Sequence, residues 1–349
     1  MNREGKARAT AVYRIAIVGA GTLKGKELAE LLPESSFPAD TPRLLDDDDS
    51  LGRLEPVGDE VTFVQKATGS NFEGIDFAFF ASQPDSTRKL WELARRAGSA
   101  VVDLSYGLEA VAGSRVRSPW LEREFGAAPA PELEPGPVVV AHPAAVVLAL
   151  LLSRLQKAGK IRSANATLFE PASEHGRAGM DELHEQTVNL LSFQEMPKNV
   201  FDAQVAFNLL ARYGEHSQPT LETGERRIAT HFKTIAGEHA AVPSLLLVQA
   251  PIFHGHVFSM YVELERPRSL GDLSQALEGE HVQLTRLEDT PSNVSAAGQE
   301  DILAWIRPDA QRENGFWIWA AADNLRLSAL NAIECAQQMA GSRPSNTLQ

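Results

Sequence analysis

The residues that could do chemistry form a glycine-rich turn near the N-terminus and a scattered group of carboxylates and histidines. Gly19, Gly21 and Gly25 follow a short apolar run and open a segment of helical character. Glycines after a strand let the backbone approach a pyrophosphate, which then lies on the N–H groups at the start of the following helix. Glu170 and His256 are of the residue types that exchange protons during catalysis. The sequence therefore offers a candidate nucleotide turn and a candidate acid–base pair.

Alternating strands and helices are expected to position the glycine turn. Apolar runs predict strands at residues 13–18, 77–81, 100–103 and 137–140. Segments of helical character between them predict helices at residues 26–32 and 86–97. Such alternation is typical of βαβ units and of a parallel sheet covered on both faces. Residues 1–143 therefore predict a Rossmann-like α/β domain of the dinucleotide-binding type.

From residue 144 onward the pattern changes to longer elements with irregular insertions. The sequence predicts helices at residues 144–155 and 179–191, and strands at residues 163–169, 244–250, 256–264 and 316–321. Strands separated by long insertions favour an α+β domain, whose sheet is expected to pair two subunits.

Composition limits the function classes. A chain of 349 residues with 43% hydrophobic and 23% charged composition can bury a large core, and its length favours two domains. The formal net charge of -13 argues against nucleic-acid and membrane-surface partners, because both attract clustered Lys and Arg. No apolar run approaches the roughly 20 residues of a membrane span, and the polar residues 1–10 lack a secretory pattern. We expect a cytoplasmic protein.

The metal-binding and thiol residues give weak signals. Cys335 is the one cysteine, and its helical apolar neighbourhood favours a small buried side chain over a reactive thiol. His142, His175, His254 and His256 show no ligand spacing, so no metal site is expected.

Several separated motifs resemble those of the aspartate-semialdehyde dehydrogenase family. They are VDLS at residues 102–105, SEHGRAGMDEL at 173–183, FN at 207–208 and DNLR at 323–326. The resemblance implies a dimerisation domain at residues 144–325, a C-terminal helix at 326–349 that returns to the first domain, and a homodimer.

The resemblance places an alanine where this family has its catalytic cysteine. The family's A-N-P-N-C motif corresponds to residues 141–145, so Ala145 takes the position of the nucleophile. A methyl group cannot attack a carbonyl or carry an acyl intermediate. Glu170 takes the place of a family glutamine, while the histidine that activates the nucleophile is retained as His256. The pattern resembles the Usg-type branch of the family, which lacks the cysteine.

The resemblance also implies that the substrate anchors are changed. Glu109 and Gln249 take the positions of two family arginines that hold a phosphate and the substrate carboxylate. A glutamate reverses the charge, and an amide lacks the bidentate guanidinium clamp. Arg227 corresponds, less securely, to a family lysine.

The nucleotide site implied by the resemblance comprises Gly19, Gly21, Thr22, Gly25, Asp46, Ser82 and Asn324. Thr22 replaces a family glycine and Lys24 an apolar residue, so the turn either binds a dinucleotide or keeps the fold and binds nothing. The acidic run at residues 46–49 would repel the 2′-phosphate of NADP. Its first aspartate could accept hydrogen bonds from the ribose of NAD, or the run could be a solvated loop. NAD is therefore favoured over NADP, and no cofactor is certain.

Two functions are consistent with these residues. The first is a non-catalytic, dimeric homologue with degraded nucleotide and substrate sites, which binds a protein partner such as the active paralogue. The second is an NAD-dependent oxidoreductase that acts on a different aldehyde or carbonyl without a cysteine acyl-enzyme intermediate. The number of changed site residues favours the first.

Overall fold

A computed structural model describes residues 12–46, 52, 54–57, 60–126 and 136–342. The chain divides into two compact units. The first unit contains the described residues of Met1–Arg115, Pro131–Val139 and Ala332–Gln349, and the second those of Val116–Ala130 and Val140–Asn331. No helix in the described ranges has the length and apolar character needed to cross a bilayer.

The first unit is built on a sheet that contains seven strands among the described residues. The strands up to the middle of the chain are β1 (Ile15–Val18), β2 (Arg43–Asp46), β3 (Leu54–Val57), β4 (Glu60–Phe63), β5 (Gln65–Lys66), β6 (Phe77–Phe80), β7 (Ala100–Asp103), β8 (Arg115–Arg117) and β9 (Val138–Val140). The sheet order is β5-β2-β1-β6-β7-β9-β8, while β3 and β4 form a separate antiparallel pair. The pairs from β5 through β9 are parallel.

Two helices of the first unit begin with clear sequence signals. Helix α1 (Leu23–Glu34) is capped by the side chain of Thr22. Helix α2 (Pro84–Arg96) begins at a proline and carries Asp85 in its first turn and two arginines in its last, as the helix dipole favours. Every residue of β1, β6 and β7 is buried, as expected for strands covered on both faces. The predicted Rossmann-like parallel sheet is confirmed.

The second unit is an α+β domain around a mixed sheet. Its strands are β10 (Ile161–Glu170), β11 (Ser244–Gln249), β12 (His256–Leu264), β13 (Val282–Leu284), β14 (Ile302–Pro308) and β15 (Gly315–Ala322), in the order β11-β10-β12-β15-β14-β13. Its helices are α3 (Pro119–Glu124), α4 (Pro143–Ala158), α5 (Gly176–Leu191), α6 (Leu221–Ala236), α7 (Leu270–Leu277) and α8 (Asn293–Ala296). Helix α9 (Asn324–Ser342) begins in this unit and ends in the first.

Helix α4 forms the centre of the second unit's core. It is buried from its first residue to Leu155, and it packs with one face of the sheet, including Leu168 of β10, Phe258 of β12 and Ile318 of β15. Residues that alternate with these along the strands point to the opposite face. A continuous apolar core thus fixes α4 against β10, β12 and β15.

Arg154 is a buried cation that joins α4 to three other segments. Its guanidinium donates to the backbone oxygens of Leu277 at 2.9 Å and Glu280 at 2.8 Å, and to the Glu124 carboxylate at 3.0 Å. Burial would raise the pKa of Glu124, but hydrogen bonds from Lys157 and Arg154 outweigh it and hold that pKa below its usual value.

Replacing Arg154 should destabilise the protein far more than replacing an exposed arginine. Arg154→Met leaves two carbonyls without their donor and leaves the Glu124 carboxylate with Lys157 alone, so we expect a loss of about 2–4 kcal/mol in the free energy of unfolding. The matched control is Arg162→Met, because Arg162 is 69% exposed in its ion pair with Glu263. That change should cost less than about 1 kcal/mol in urea titrations. Equal losses would contradict the structural role of Arg154.

The Arg154 contribution should also depend on pH. The folded-state pKa of Glu124 is lowered, so ionised Glu124 stabilises the folded protein at pH values above the usual glutamate pKa. This stabilisation disappears as the pH falls through the lower, folded-state pKa. The stability gap between wild type and Arg154→Met should therefore narrow at acidic pH, measured against the Arg162→Met control. A gap that stays constant from neutral to acidic pH would show that Glu124 does not mediate it.

Candidate functional site

The glycine turn of the first unit is shaped by close packing. Gly19 has a φ of 84°, and a Cβ there would lie 2.4 Å from the backbone nitrogen of Ser82. A Cβ on Gly25 would lie 2.1 Å from the carbonyl oxygen of Gly19. The Thr22 hydroxyl accepts the Gly25 N–H at 3.0 Å and lies 2.8 Å from the Gly19 oxygen. These glycines are thus required by the turn itself, whether or not a nucleotide is bound.

The predicted nucleotide residues of the first unit meet at the carboxyl ends of β1, β2 and β6. Asp46 ends β2, is buried, and accepts a long hydrogen bond of 3.4 Å from the N–H of Gly21. The remaining acidic positions of the run, residues 47–49, lie outside the described residues. Strand order reverses beside β1, and parallel sheets of this type bind ligands at such a point.

Ser82 belongs to a chain of internal hydrogen bonds. Its hydroxyl lies 3.0 Å from that of Thr87, the Ser105 hydroxyl lies 2.8 Å from the same atom, and Ser105 donates to Asp103 at 2.6 Å. Burial raises the pKa of Asp103, although hydrogen bonds from Ser105 and Leu108 oppose the shift. The polar side chains that follow β6 and β7 are therefore hydrogen-bonded to one another.

From the sequence alone, Lys24 is notable only because it replaces an apolar residue of the family's glycine motif. Its ammonium donates to the Leu104 carbonyl at 3.0 Å and the Tyr106 hydroxyl at 3.3 Å, and lies 4.4 Å from the centre of the Tyr106 ring. Tyr106 has a φ of 64°, which is uncommon for a residue with a side chain. A cation thus lies at the carboxyl edge of the parallel sheet, held by an aromatic ring.

Ala145 lies in the first turn of α4, inside the core of the second unit. Both Ala144 and Ala145 are fully buried. The helix is capped by His142, whose Nδ1 accepts the N–H of Ala144 at 3.2 Å, and the backbone N–H of His142 donates to Nδ1 of His231 at 2.9 Å. At the position where the resemblance places the family's nucleophile, this chain has only a methyl group, which packs in the core.

Glu174, which the sequence analysis did not identify as a site residue, faces His256. Its Oε1 lies 3.9 Å from Nε2 of His256 and accepts a hydrogen bond of 2.9 Å from the amide of Asn324. Its Oε2 lies 3.6 Å from Nε2 of His142. The four side chains are all buried. One carboxylate therefore lies between two imidazoles and an amide.

Gln249 is fully engaged inside the protein. Its amide donates to the backbone oxygens of Glu170 at 3.0 Å and Ala250 at 2.8 Å. Its oxygen accepts the Tyr213 hydroxyl at 2.7 Å. Because the side chain is buried and each polar atom has a partner, Gln249 ties β11 to β10.

Glu170 is paired with different residues from those expected. Its Oε1 lies 3.1 Å from Nε2 of His175 and 3.4 Å from the Tyr213 hydroxyl. Burial, followed by the negative charges of Glu170 and Glu174, raises the pKa of Tyr213 far above its usual value, so the phenol remains a donor. Glu170 thus belongs to the Tyr213 network, whereas His256 faces Glu174.

The other predicted residues are more dispersed. Glu109 is exposed in the first unit, while Arg227 is half-buried on α6 of the second. Asn324 begins α9 in the second unit, unlike the other expected nucleotide residues. Among the residues that the structure describes, no three His, Cys, Asp or Glu side chains are grouped in a way that could hold a metal ion.

Two family models match the chain. One, described as the NAD binding domain of semialdehyde dehydrogenase, matches residues 14–114, and the dimerisation domain of semialdehyde dehydrogenase matches residues 152–327. Both agree with the resemblance carried by the sequence motifs.

Similar proteins cover nearly the whole chain. An aspartate-semialdehyde dehydrogenase of Rickettsia bellii is 28% identical over 95% of this chain and 98% of its own. A USG-1 protein homolog of Pseudomonas aeruginosa is 31% identical over 91% and 95%. The solved structure of a probable aspartate-semialdehyde dehydrogenase from Pseudomonas aeruginosa matches with a TM-score of 0.84 at 28% identity, covering 97% of this chain and 100% of that one.

The close approach at Gly19 gives a direct test of the turn. Gly19→Ala adds a methyl group against Ser82, whereas Gly98→Ala adds one at a similar φ of 92° where no heavy atom lies within 4 Å. Both changes bear the cost of a left-handed backbone, about 1–2 kcal/mol. Gly19→Ala should cost about 1–3 kcal/mol more, measured by urea unfolding. Equal costs would mean that the contact with Ser82 is easily relaxed.

Proposed function

The chain belongs to the aspartate-semialdehyde dehydrogenase family, and we propose that it is a non-catalytic homologue with degraded nucleotide and substrate sites. The engagement of Gln249 carries this proposal. A side chain whose donors and acceptor are all used by the protein cannot also hold a substrate carboxylate without breaking these bonds. Each such bond contributes about 0.5–1.5 kcal/mol, and an amide offers no charge in return.

The surroundings of Ala145 support the loss of covalent catalysis. The residue is buried within α4 and brings no attacking atom. The only thiol of the chain, Cys335, is buried in α9. On the correspondence given by the motifs, the nucleophile of the acyl-enzyme route is missing.

The first unit retains features that suit NAD better than NADP. In the proposed site, the buried carboxylate of Asp46 would accept hydrogen bonds from the adenosine ribose, and the start of α1 would hold the pyrophosphate. A bound NAD would supply a hydride acceptor. A 2′-phosphate beside Asp46 would meet like charge. The Thr22 cap and the engaged Ser82 leave fewer groups for the nucleotide, so weak binding is expected.

A homodimer fits the second unit's open sheet face. On the face of β12 and β15 opposite the core, Tyr261, Trp317 and Trp319 are half-buried, whereas Val257 and Ala321 are buried in a small apolar cluster. Part of this face forms a cavity of about 470 Å³ that Tyr261 and Trp317 help to line. We propose that this cytoplasmic protein pairs with a second copy or with the active paralogue.

The alternative function is an NAD-dependent oxidoreductase without an acyl-enzyme intermediate. The observation that favours it is the carboxylate of Glu174 between two imidazoles, since such a group can exchange protons with an alkoxide. His256 would then be the proton donor to a carbonyl substrate in this second proposal.

Restoring the thiol alone should not restore the family reaction. Ala145→Cys is expected to give no detectable aspartate-semialdehyde oxidation with NAD or NADP, because Gln249 and Glu109 provide no cation for the substrate. The control is Ala149→Cys, which places a thiol at another buried position of α4. Formation of reduced nicotinamide by the first variant above the level of the second would show that an anionic-substrate site survives.

Dinucleotide binding separates the two functions. We expect NAD at millimolar concentration to raise Tm by at most a few degrees, and NADP to have a smaller effect because of Asp46. Asp46→Asn should reduce the difference between the two nucleotides. A large NAD-linked rise in Tm, accompanied by turnover of a carbonyl substrate, would replace the non-catalytic proposal with the oxidoreductase.

A further inference from the structure

The contacts of Glu174 do not follow from the loss of a nucleophile or of substrate arginines. The Glu174 side chain is 7% exposed, and the three polar side chains that face it, His142, His256 and Asn324, are less than 5% exposed. Buried polar groups of this kind are normally matched to a specific partner. The partner that this arrangement favours can be read from the direction of each donor.

His142 directs a donor at the carboxylate. Its Nδ1 accepts the N–H of Ala144 and so carries no proton, which assigns the ring proton of the neutral imidazole to Nε2. That Nε2 is the atom that lies 3.6 Å from Oε2 of Glu174. The helix cap therefore fixes both the tautomer and the orientation of the ring.

Asn324 directs a second donor at the same group. Its Oδ1 accepts the N–H of Gly255 at 3.2 Å, so its amide nitrogen points the other way and donates to Oε1 of Glu174 at 2.9 Å. Nε2 of His256 lies 3.9 Å from the same oxygen. Each carboxylate oxygen thus faces an imidazole nitrogen, and one oxygen also receives the amide.

We propose that His142, His256 and Asn324 form a carboxylate-binding cradle whose resident ligand is the chain's own Glu174. The cradle presents an amide donor and two imidazole nitrogens from three separate elements, and a carboxylate offers acceptors on both oxygens. While Glu174 occupies it, an external carboxylate is excluded from the histidine pair. The side chain acts as an internal occupant that keeps this pocket closed.

The two imidazoles lie slightly beyond hydrogen-bond distance of Glu174, at 3.6 and 3.9 Å. The tether of Glu174 to its backbone limits how far the carboxylate can approach both rings. An untethered small carboxylate has no such restriction. Truncation of Glu174 to alanine removes Cγ, Cδ and both oxygens, which correspond to the heavy atoms of acetate.

The test is chemical rescue of Glu174→Ala by acetate. The variant should melt below wild type, and added acetate at constant ionic strength should raise its Tm saturably, by about 2 °C or more. Glu174→Gln is the matched control because it fills the same space without opening a cavity, so it should show no saturable response. Wild type should not respond either, because its cradle is occupied.

Two results would overturn the proposal. One is the absence of any acetate response in folded Glu174→Ala up to molar concentration. The other is an equal response of wild type, Glu174→Gln and Glu174→Ala, which would mark a general salt effect. The measurement uses no dinucleotide and no semialdehyde, so its outcome is independent of whether the protein is an enzyme.

Nitrogen NMR of the imidazole rings gives a second test that does not require Glu174→Ala to fold. In wild type, His142 should be the Nε2–H tautomer, and Glu174→Gln should shift the ring signals of His142 and His256 well beyond those of the exposed His216. A His142 ring protonated on Nδ1, or ring signals unchanged by Glu174→Gln, would refute the cradle.

Discussion

The amide of Gln249 is the interaction on which the polar side of the second unit depends. It joins the ends of β10 and β11 and accepts the Tyr213 hydroxyl while remaining uncharged. Buried carboxylates are stable only when paired or hydrogen-bonded. The carboxylate of Glu170 lies beside His175 and Tyr213, and the latter also donates to Gln249. The carboxylate of Glu174 faces a separate group of side chains, which are His142, His256 and Asn324.

The same principle describes the first unit. The hydroxyls of Ser82, Thr87 and Ser105 form a chain that ends on Asp103, and the ammonium of Lys24 is held by Leu104 and Tyr106. A site prepared for a ligand leaves donors or acceptors directed at the place of that ligand. In both units many of these groups are directed at other groups of the chain. In the proposed non-catalytic homologue, an external ligand would have to displace these internal hydrogen bonds.

The sequence predicted the fold better than the site because the two depend on different ranges of interaction. Strands such as β1 and β6 and the alternation with α1 and α2 follow from local periodicity, and they were predicted within a few residues. Helix α6 was missed although Leu221, Ile228, Phe232 and Ala236 have helical spacing and Thr220 caps its start. The charged residues between these positions make the apolar face difficult to recognise in the sequence.

The contacts of the site could not be read in the same way. Glu174 meets His142 and His256 only because the 3₁₀ turn Ala172–His175, the start of α4 and the start of β12 converge in the folded unit. No periodicity links these positions, so Glu170 was the natural choice of partner for His256. The contacts of Lys24 could not be predicted either, because its partner Tyr106 lies far along the chain.

The presence of His256 is by itself weak evidence for catalysis. A general base must reach the proton that it removes, directly or through one water. His256 is 1% exposed and faces a carboxylate that an amide also holds. Its replacement would leave Glu174 with fewer compensating groups in a region of low dielectric, which is costly for the fold. The contact with a buried carboxylate is therefore a structural reason for an imidazole at this position, and it does not depend on catalysis.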